Sequence, residues 1–255
     1  LHISNSSYNL DEIENLIVIG AGKATPAMSV AIEKILGKHI NGGLITTKYG
    51  HKLPLDYIET VECGHPIPDD EGVKATLRLL STVSNLTSKT LVICLFSGGG
   101  SALLPAPVHG ISLKEKQQAT KLLLEAGCTI DEINTVRKHI SRIKGGLLAK
   151  AAHPAKVISL ILSDVIGDRL DTISSGPTCP DNTTYKDCLK LIRKYGLEGQ
   201  LPKSVADLIM ERANNRRNET PNHQSHWFSK VQNIIIGNNK MALESAESKA
   251  RDLGY

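Results

Sequence analysis

Glycine, hydroxyl, lysine and acidic residues recur in this sequence immediately after short apolar runs, a placement suited to holding an anionic ligand. The first group is Gly20-Ala21-Gly22-Lys23-Ala24-Thr25. It resembles a dinucleotide fingerprint, but Thr25 stands at the third glycine position. The next apolar run ends in Thr46-Thr47-Lys48, with no acid for a ribose. A P-loop is excluded too, because Ala24 follows Gly22-Lys23 and the upstream glycine is missing. A tight turn, a helix N-terminus and one lysine remain, and these suit a phosphate held by Gly20, Gly22 and Lys23. A plain turn with a solvated lysine accounts for the same residues.

The second group is Ser97-Gly98-Gly99-Gly100-Ser101, after the most apolar run of the chain. Gly98, Gly99 and Gly100 let backbone N–H groups face a ligand, and Ser97 and Ser101 add hydroxyl donors. A serine-hydrolase elbow fails here, because Leu103 follows where a glycine is required. The third group, Ser163-Asp164-Val165-Ile166-Gly167-Asp168, offers Asp164 and Asp168 to a magnesium ion carried by a nucleotide. Two capping aspartates would look the same. Ser174-Ser175-Gly176-Pro177-Thr178 follows closely and is again rich in hydroxyls and glycine. A fourth group joins Arg137, able to clamp a carboxylate or phosphate through two hydrogen bonds, to Lys144-Gly145-Gly146. A basic solvated helix face is the alternative. In Gly64-His65-Pro66-Ile67-Pro68-Asp69 the prolines fix a loop on which His65 could meet substrate or simply stabilise the turn.

These groups need strands to carry them. Apolar runs rich in Val, Ile and Leu predict strands over Leu16–Gly20, Gly43–Thr47, Glu59–Cys63, Leu91–Phe96, Val157–Leu162 and Asn233–Ile236. Continuous runs of this kind suit strands buried on both faces. Helical spacing follows over Ala27–Leu36, Asp70–Thr82, Lys114–Glu125, Ile130–Arg142, Asp187–Lys194, Val205–Glu211 and Met241–Leu253. Two of these helices open on capping boxes, Ser112-x-x-Glu115 and Thr129-x-x-Glu132. Such alternation predicts an α/β fold, Rossmann-like and doubly wound, with a mostly parallel sheet and helices on both faces. Residues 1–255 read as one domain, with Asn214–Ser225 as an exposed loop inside it. In open parallel sheets ligands sit at the C-terminal strand ends, where these groups fall.

Bulk properties agree with a small-molecule enzyme. The 255 residues carry a net charge of +4, and aromatics are only 4%. Stacking platforms for nucleic acid are therefore not expected. No apolar run approaches the roughly 20 residues of a membrane span. Five cysteines without a C-x-x-C spacing argue against a zinc knuckle or a full disulfide framework and suggest a reducing compartment, the cytoplasm. The chain opens on Leu1 and closes on Gly254-Tyr255 just after a strand and helix, so a continuation beyond it is expected.

Taken in order, Gly20-Ala21-Gly22-Lys23-Ala24, Gly64-His65-Pro66-Ile67-Pro68-Asp69, Ser97 to Leu104, Ile133 to His139, Lys144-Gly145-Gly146, Ser163-Asp164-Val165 with Gly167-Asp168, and Ser174 to Thr178 resemble the type 2 glycerate kinases. The resemblance runs from about Leu16 to the end. It implies phosphorylation of D-glycerate, usually to 2-phosphoglycerate, with ATP and a divalent cation, Mg2+. It also implies a larger Rossmann-like domain, which this chain would be, and a smaller C-terminal domain called MOFRL, with the site in the cleft between them. Lys23 matches the lysine of the family's G-A-G-K-A motif, a proposed active-site residue. The second such residue, an arginine of the C-terminal domain, has no match here, so this chain alone is expected to be inactive. On this reading Lys23 neutralises phosphoryl or carboxylate charge, and the Ser97–Ser101 loop, with Ser175 and Gly176, cradles phosphate. Asp164 or Asp168 holds magnesium or accepts a proton, and His65, Arg137 and Lys144 contact substrate. A homodimer is compatible with it. Two rival readings remain: an NAD-dependent hydroxypyruvate reductase, and a non-catalytic phosphosugar- or nucleotide-binding sensor.

Overall fold

A computed structural model describes residues 1–3, 6–215 and 219–255. Its centre is a six-stranded sheet built from β1 (Asn15–Ala21), β2 (Gly42–Lys48), β3 (Glu59–Cys63), β4 (Thr90–Phe96), β5 (Lys156–Leu162) and β6 (Val231–Gly237). Every pairing is parallel, in the order β3-β2-β1-β4-β5-β6. This is the doubly wound order, in which the chain reverses direction between the first and fourth strands. The apolar runs are continuous because both faces are covered, and all seven residues of β4 are buried.

Alternate residues feed two cores. Ile17, Ile19, Val92, Cys94 and Phe96 pack with Ala75, Leu79 and Leu80 of α2 (Asp70–Thr82) and with Leu148 and Ala152 of the later helix Leu147–Ala152. Leu16, Val18, Leu91, Ile93 and Leu95 pack on the other face with Ile32 and Leu36 of α1 (Thr25–Leu36). Burying one such aliphatic side chain contributes about 1.5–3 kcal/mol, so a charge anywhere in β4 would disrupt the layer it faces. The register pairs Gly20 with Leu95 and Ala21 with Phe96. The loops that leave β1 and β4 are therefore side by side at the reversal point.

The remaining helices are α3 (Gly100–Leu103), α4 (Leu113–Glu125), α5 (Ile130–His139), α6 (Leu147–Ala152), α7 (Tyr185–Lys194), α8 (Lys203–Asn215) and α9 (Asn239–Asp252). A third core joins α4, α5, α7 and α8 through Ala119, Leu123, Ile133, Val136, Cys188, Ile192, Val205 and Ile209. Both expected capping boxes form, and Thr184 with Asp187 adds a third at α7.

Two local expectations need correction. Helix α5 stops at His139 rather than Arg142, because Ile140 leaves helical geometry and Ser141 bridges to Pro107. The turn that follows, with positive φ at Gly145 and Gly146, brings Lys144 back toward the strand ends. The stretch from 214 to 225 is not uniformly an exposed loop. Asn214 and Asn215 finish α8, residues 216–218 lie outside the described residues, and Thr220 is buried, donating to Asp181 Oδ2 at 2.9 Å. Helices α3 and α6 are too short for periodicity to reveal them. Among the described residues no helix is long and apolar enough to cross a membrane. All five cysteines are buried and unpaired, as small core side chains would be.

Candidate active site

The Gly98–Gly100 turn is the centre of the site. Gly99 has φ +90°, a left-handed conformation that glycine adopts without penalty, and it caps α3. Side chains of four other segments crowd these glycines. A methyl on Gly98 would run into the Asp164 carboxylate, and one on Gly100 into Ser174 Oγ. A methyl on Gly99 would meet His65 Nε2 at 2.8 Å and Lys23 Cγ at 3.5 Å. Residues from the ends of β1, β3, β4 and β5 thus converge on one turn. Among the described residues, the N–H groups of Gly98, Gly99 and Ser101 donate to no protein acceptor. Unpaired N–H groups in a glycine turn form a concave donor set for anionic oxygens.

Lys23 is held by its backbone, whose N–H donates to Gly98 O at 2.9 Å, while its side chain is exposed. The ammonium is thus free to meet a ligand above the turn. Burial, then Lys23 and Lys48, push the pKa of His65 below its ordinary value. At neutral pH it is an uncharged imidazole, able to donate or accept one hydrogen bond. Asp164 is exposed and makes no hydrogen bond or ion pair among the described residues.

Other expected residues play structural parts. Gly20 and Gly22 allow close contact of backbones, since a methyl would strike Leu95 O at the first and Ser97 at the second. Ser97 is buried, and its hydroxyl accepts from Ala24 N–H at 3.0 Å and lies 3.2 Å from Thr25 Oγ1. It ties β4 to the start of α1 rather than presenting a free hydroxyl. Gly176, with φ +60°, packs against the Asp171 backbone. Asp168 accepts a hydrogen bond from the Asn238 amide, beyond the end of β6. Among the described residues no hydrogen bond or ion pair joins it to Asp164. Among the described residues no group of three or more His, Cys, Asp or Glu gathers as a metal cluster.

A second layer lies behind the turn. Ser101 Oγ is 2.8 Å from Ser175 Oγ, which donates to Asn134 Oδ1 at 3.1 Å. Lys144 is 1% exposed and donates to Ser101 O at 2.9 Å and Ser174 O at 3.4 Å. Ser174 and Ser175 both have positive φ, 52° and 61°, which costs a non-glycine residue on the order of 1–3 kcal/mol each. Ser174 Oγ is buried without a partner. Strain and an unsatisfied hydroxyl beside a donor-rich turn mark a place built for something other than stability. Arg137, one turn after Asn134 on α5, is half-buried and has no hydrogen bond among the described residues.

Sequence reasoning missed Ser174, Asn134 and Lys116 as members of this region. Ser174 and Asn134 lie within motifs already singled out. Lys116 was hidden because it shares the apolar face of α4 with Ala119 and Leu123, where an aliphatic residue would be expected.

Known proteins resemble this chain in sequence and fold. The family described as a domain of unknown function, DUF4147, matches residues 1–210. D-glycerate 2-kinase of Thermotoga maritima is 44% identical over 97% of this chain and 56% of its own length. Mouse glycerate kinase is 41% identical over 95% of this chain and 48% of its own length. A protein of Agrobacterium vitis whose name is that of a hydroxypyruvate reductase is 40% identical over 93% of this chain and 52% of its own length. The crystal structure of the Thermotoga maritima glycerate kinase superposes with a TM-score of 0.85, covering 95% of this chain and 56% of that one. The chain thus spans about half the length of these relatives. Sequence identity, shared fold and the family match over most of its length agree: the chain belongs to the DUF4147 family, the type 2 glycerate kinases.

Proposed function

We propose that the intact protein transfers the γ-phosphoryl group of ATP to D-glycerate, giving 2-phosphoglycerate, and that this chain is its N-terminal α/β domain. The observation that carries the reading is the convergence of Lys23, His65 and Asp164 on a glycine turn with unpaired N–H groups. Phosphoryl transfer is chiefly positioning and charge neutralisation, and these groups supply both. The N–H groups of Gly98, Gly99 and Ser101 bind phosphate oxygens. Lys23 neutralises charge on the transferring group. His65, uncharged, orients a substrate hydroxyl. Asp164, unpaired at the rim of the turn, fits one carboxylate ligand of a magnesium ion, which would offset phosphate charge when bound. Arg137 and Lys144 contact anionic groups of the substrate. We assign the protein to the cytoplasm, with this chain inactive alone and a second domain completing the site; a homodimer is compatible with this assignment.

A coupled ADP-release assay on the intact protein with D-glycerate, ATP and magnesium tests this. Glycerate-dependent ADP release is the expected outcome. A glycerate- or hydroxypyruvate-dependent change in nicotinamide absorbance without ADP release would establish the reductase instead. Ligand binding with neither turnover would leave a sensor.

A further inference from the structure

Lys116, Arg137 and Lys144 come from α4, from α5 and from the turn before α6. No carboxylate pairs with any of them among the described residues. Lys116 is 6% exposed and Lys144 1%. Lys116 Nζ reaches only Ile140 O, at 3.4 Å, and Lys144 Nζ only the carbonyls of Ser101 and Ser174. A buried ammonium without a counter-charge is a costly arrangement. It is not the local habit, because Lys138, also buried, has Asp181 at 3.3 Å and Asp171 at 3.6 Å. Nearby carboxylates are already occupied. Glu115 serves Ser112 and Ser204, and Glu132 serves Thr129, Lys194 and Tyr195.

The three cations also act on one another. Burial and Arg137 press Lys116 down to about 7. Burial, then Lys116 and Arg137, press Lys144 well below the ordinary lysine range. No acid opposes these effects. An anion entering between them would restore the missing counter-charge and raise both pKa values. The same corner holds the orphan Ser174 hydroxyl, an unused polar group on the residue whose carbonyl accepts from Lys144.

We propose that Lys116, Arg137 and Lys144 form a carboxylate pocket that binds the acid end of a small hydroxy acid. This deepens the kinase reading, on which it rests for the identity of the acid. Phosphate oxygens have the glycine turn and exposed Lys23. The two buried lysines and the half-buried Arg137, whose planar guanidinium can meet two oxygens, suit a carboxylate. Lys116 acts as a binding residue that no sequence motif marks.

Calorimetric titration of the intact protein at pH 8, in two buffers of different ionisation heat, tests this with D-glycerate, lactate, glycerol, inorganic phosphate and Mg-ADP. Lactate keeps the carboxylate and lacks one hydroxyl, whereas glycerol lacks the carboxylate. Glycerate and lactate should bind with proton uptake and glycerol should not. Lys116→Met should weaken both acids at least tenfold, abolish part of the uptake and leave Mg-ADP binding unchanged. Lys116→Arg should recover affinity without the uptake, a split that loss of folding would not produce. Unaltered carboxylate affinity in Lys116→Met, loss of phosphate or Mg-ADP binding instead, or no carboxylate binding by the wild-type protein would overturn the pocket. Carboxylate binding with uptake, but no phosphorylation of glycerate, would keep the pocket and overturn the kinase.

Discussion

Arg137 and Lys138 are consecutive residues of α5 that sit in opposite electrostatic worlds. Lys138 belongs to a closed network. It pairs with Asp181, which also accepts from Thr183 and Thr220. Beside it, His139 Nδ1 donates to Thr135 O at 2.8 Å, its Nε2 faces Glu219 at 3.4 Å, and its ring meets Tyr185 edge to face. Tyr185 donates to His139 O and accepts from Arg212. Arg137 belongs to an open group, where buried lysines reach only carbonyls and no acid stands opposite. Buried polar groups are satisfied by default. The closed network is therefore what folding requires, and the open group is what folding alone does not explain. A charge with every partner present reports on stability, and one without reports on a ligand.

That contrast can be broken from its closed side first. Asp181→Ala leaves Lys138 buried and removes acceptors from Thr183 and Thr220. Breaking a buried pair in this way is expected to cost about 3–5 kcal/mol. Urea unfolding of the intact protein should show that loss, while turnover per folded molecule stays near normal. A loss of turnover with full stability would mean that the closed network takes part in the chemistry. The open side should behave in reverse. Among the described residues the exposed Lys23 side chain makes no hydrogen bond or ion pair, so Lys23→Ala should leave the unfolding midpoint unchanged. Removing one charge-stabilising donor typically lowers kcat by about 10²–10³. Steady-state ADP release would measure this, and near-normal kcat would remove Lys23 from the mechanism.

The sequence made the open side partly legible and the closed side hardly at all. Gly98 to Ser101, Lys23 and Asp164 follow apolar runs, and the rule that parallel sheets bind ligands at their strand ends put them together without coordinates. The six strands were legible for the same reason, since runs buried on both faces leave a continuous apolar signal. What stayed hidden depends on contacts between distant segments. Ser97 looks like a free hydroxyl until Ala24 and Thr25 are seen to use it. His139 and Asp181 are 42 positions apart, and Glu219 lies in a stretch whose polarity suggested only an exposed loop. Asp168 looks like a partner for Asp164, yet its carboxylate is engaged with Asn238. Polarity in a sequence does not say whether a group is satisfied, and satisfaction is what separates the two sides.

Alkaline pH should loosen the closed side selectively. Burial works against a charged His139, but Cys188, Glu219 and Asp181 outweigh it and hold its pKa up at about 10. The folded pKa lies above the ordinary value of about 6.5. The stabilisation from His139 is therefore complete below about pH 6.5 and is lost as pH rises through about 10. Urea midpoints measured from pH 6 to pH 10 should fall, and His139→Gln should flatten the slope. An equal slope in that variant would show that another group titrates.

The smallest effect tests the boundary between the two sides. Ser175 Oγ lies 2.8 Å from Ser101 Oγ and donates to Asn134, connecting the glycine turn to α5. Ser175→Ala removes one net hydrogen bond or so, about 0.5–1.5 kcal/mol of stability. If Ser175 merely fastens α5, that loss is the whole effect and the Michaelis constants for glycerate and ATP stay put. If it sets the spacing between the phosphate-binding turn and the unpaired cations, the Michaelis constant for glycerate rises while that for ATP does not. The second outcome is expected, because Asn134 and Arg137 are one turn apart on α5 and a shift of that helix moves Arg137 relative to Lys116 and Lys144, leaving the free N–H groups of the turn where they are.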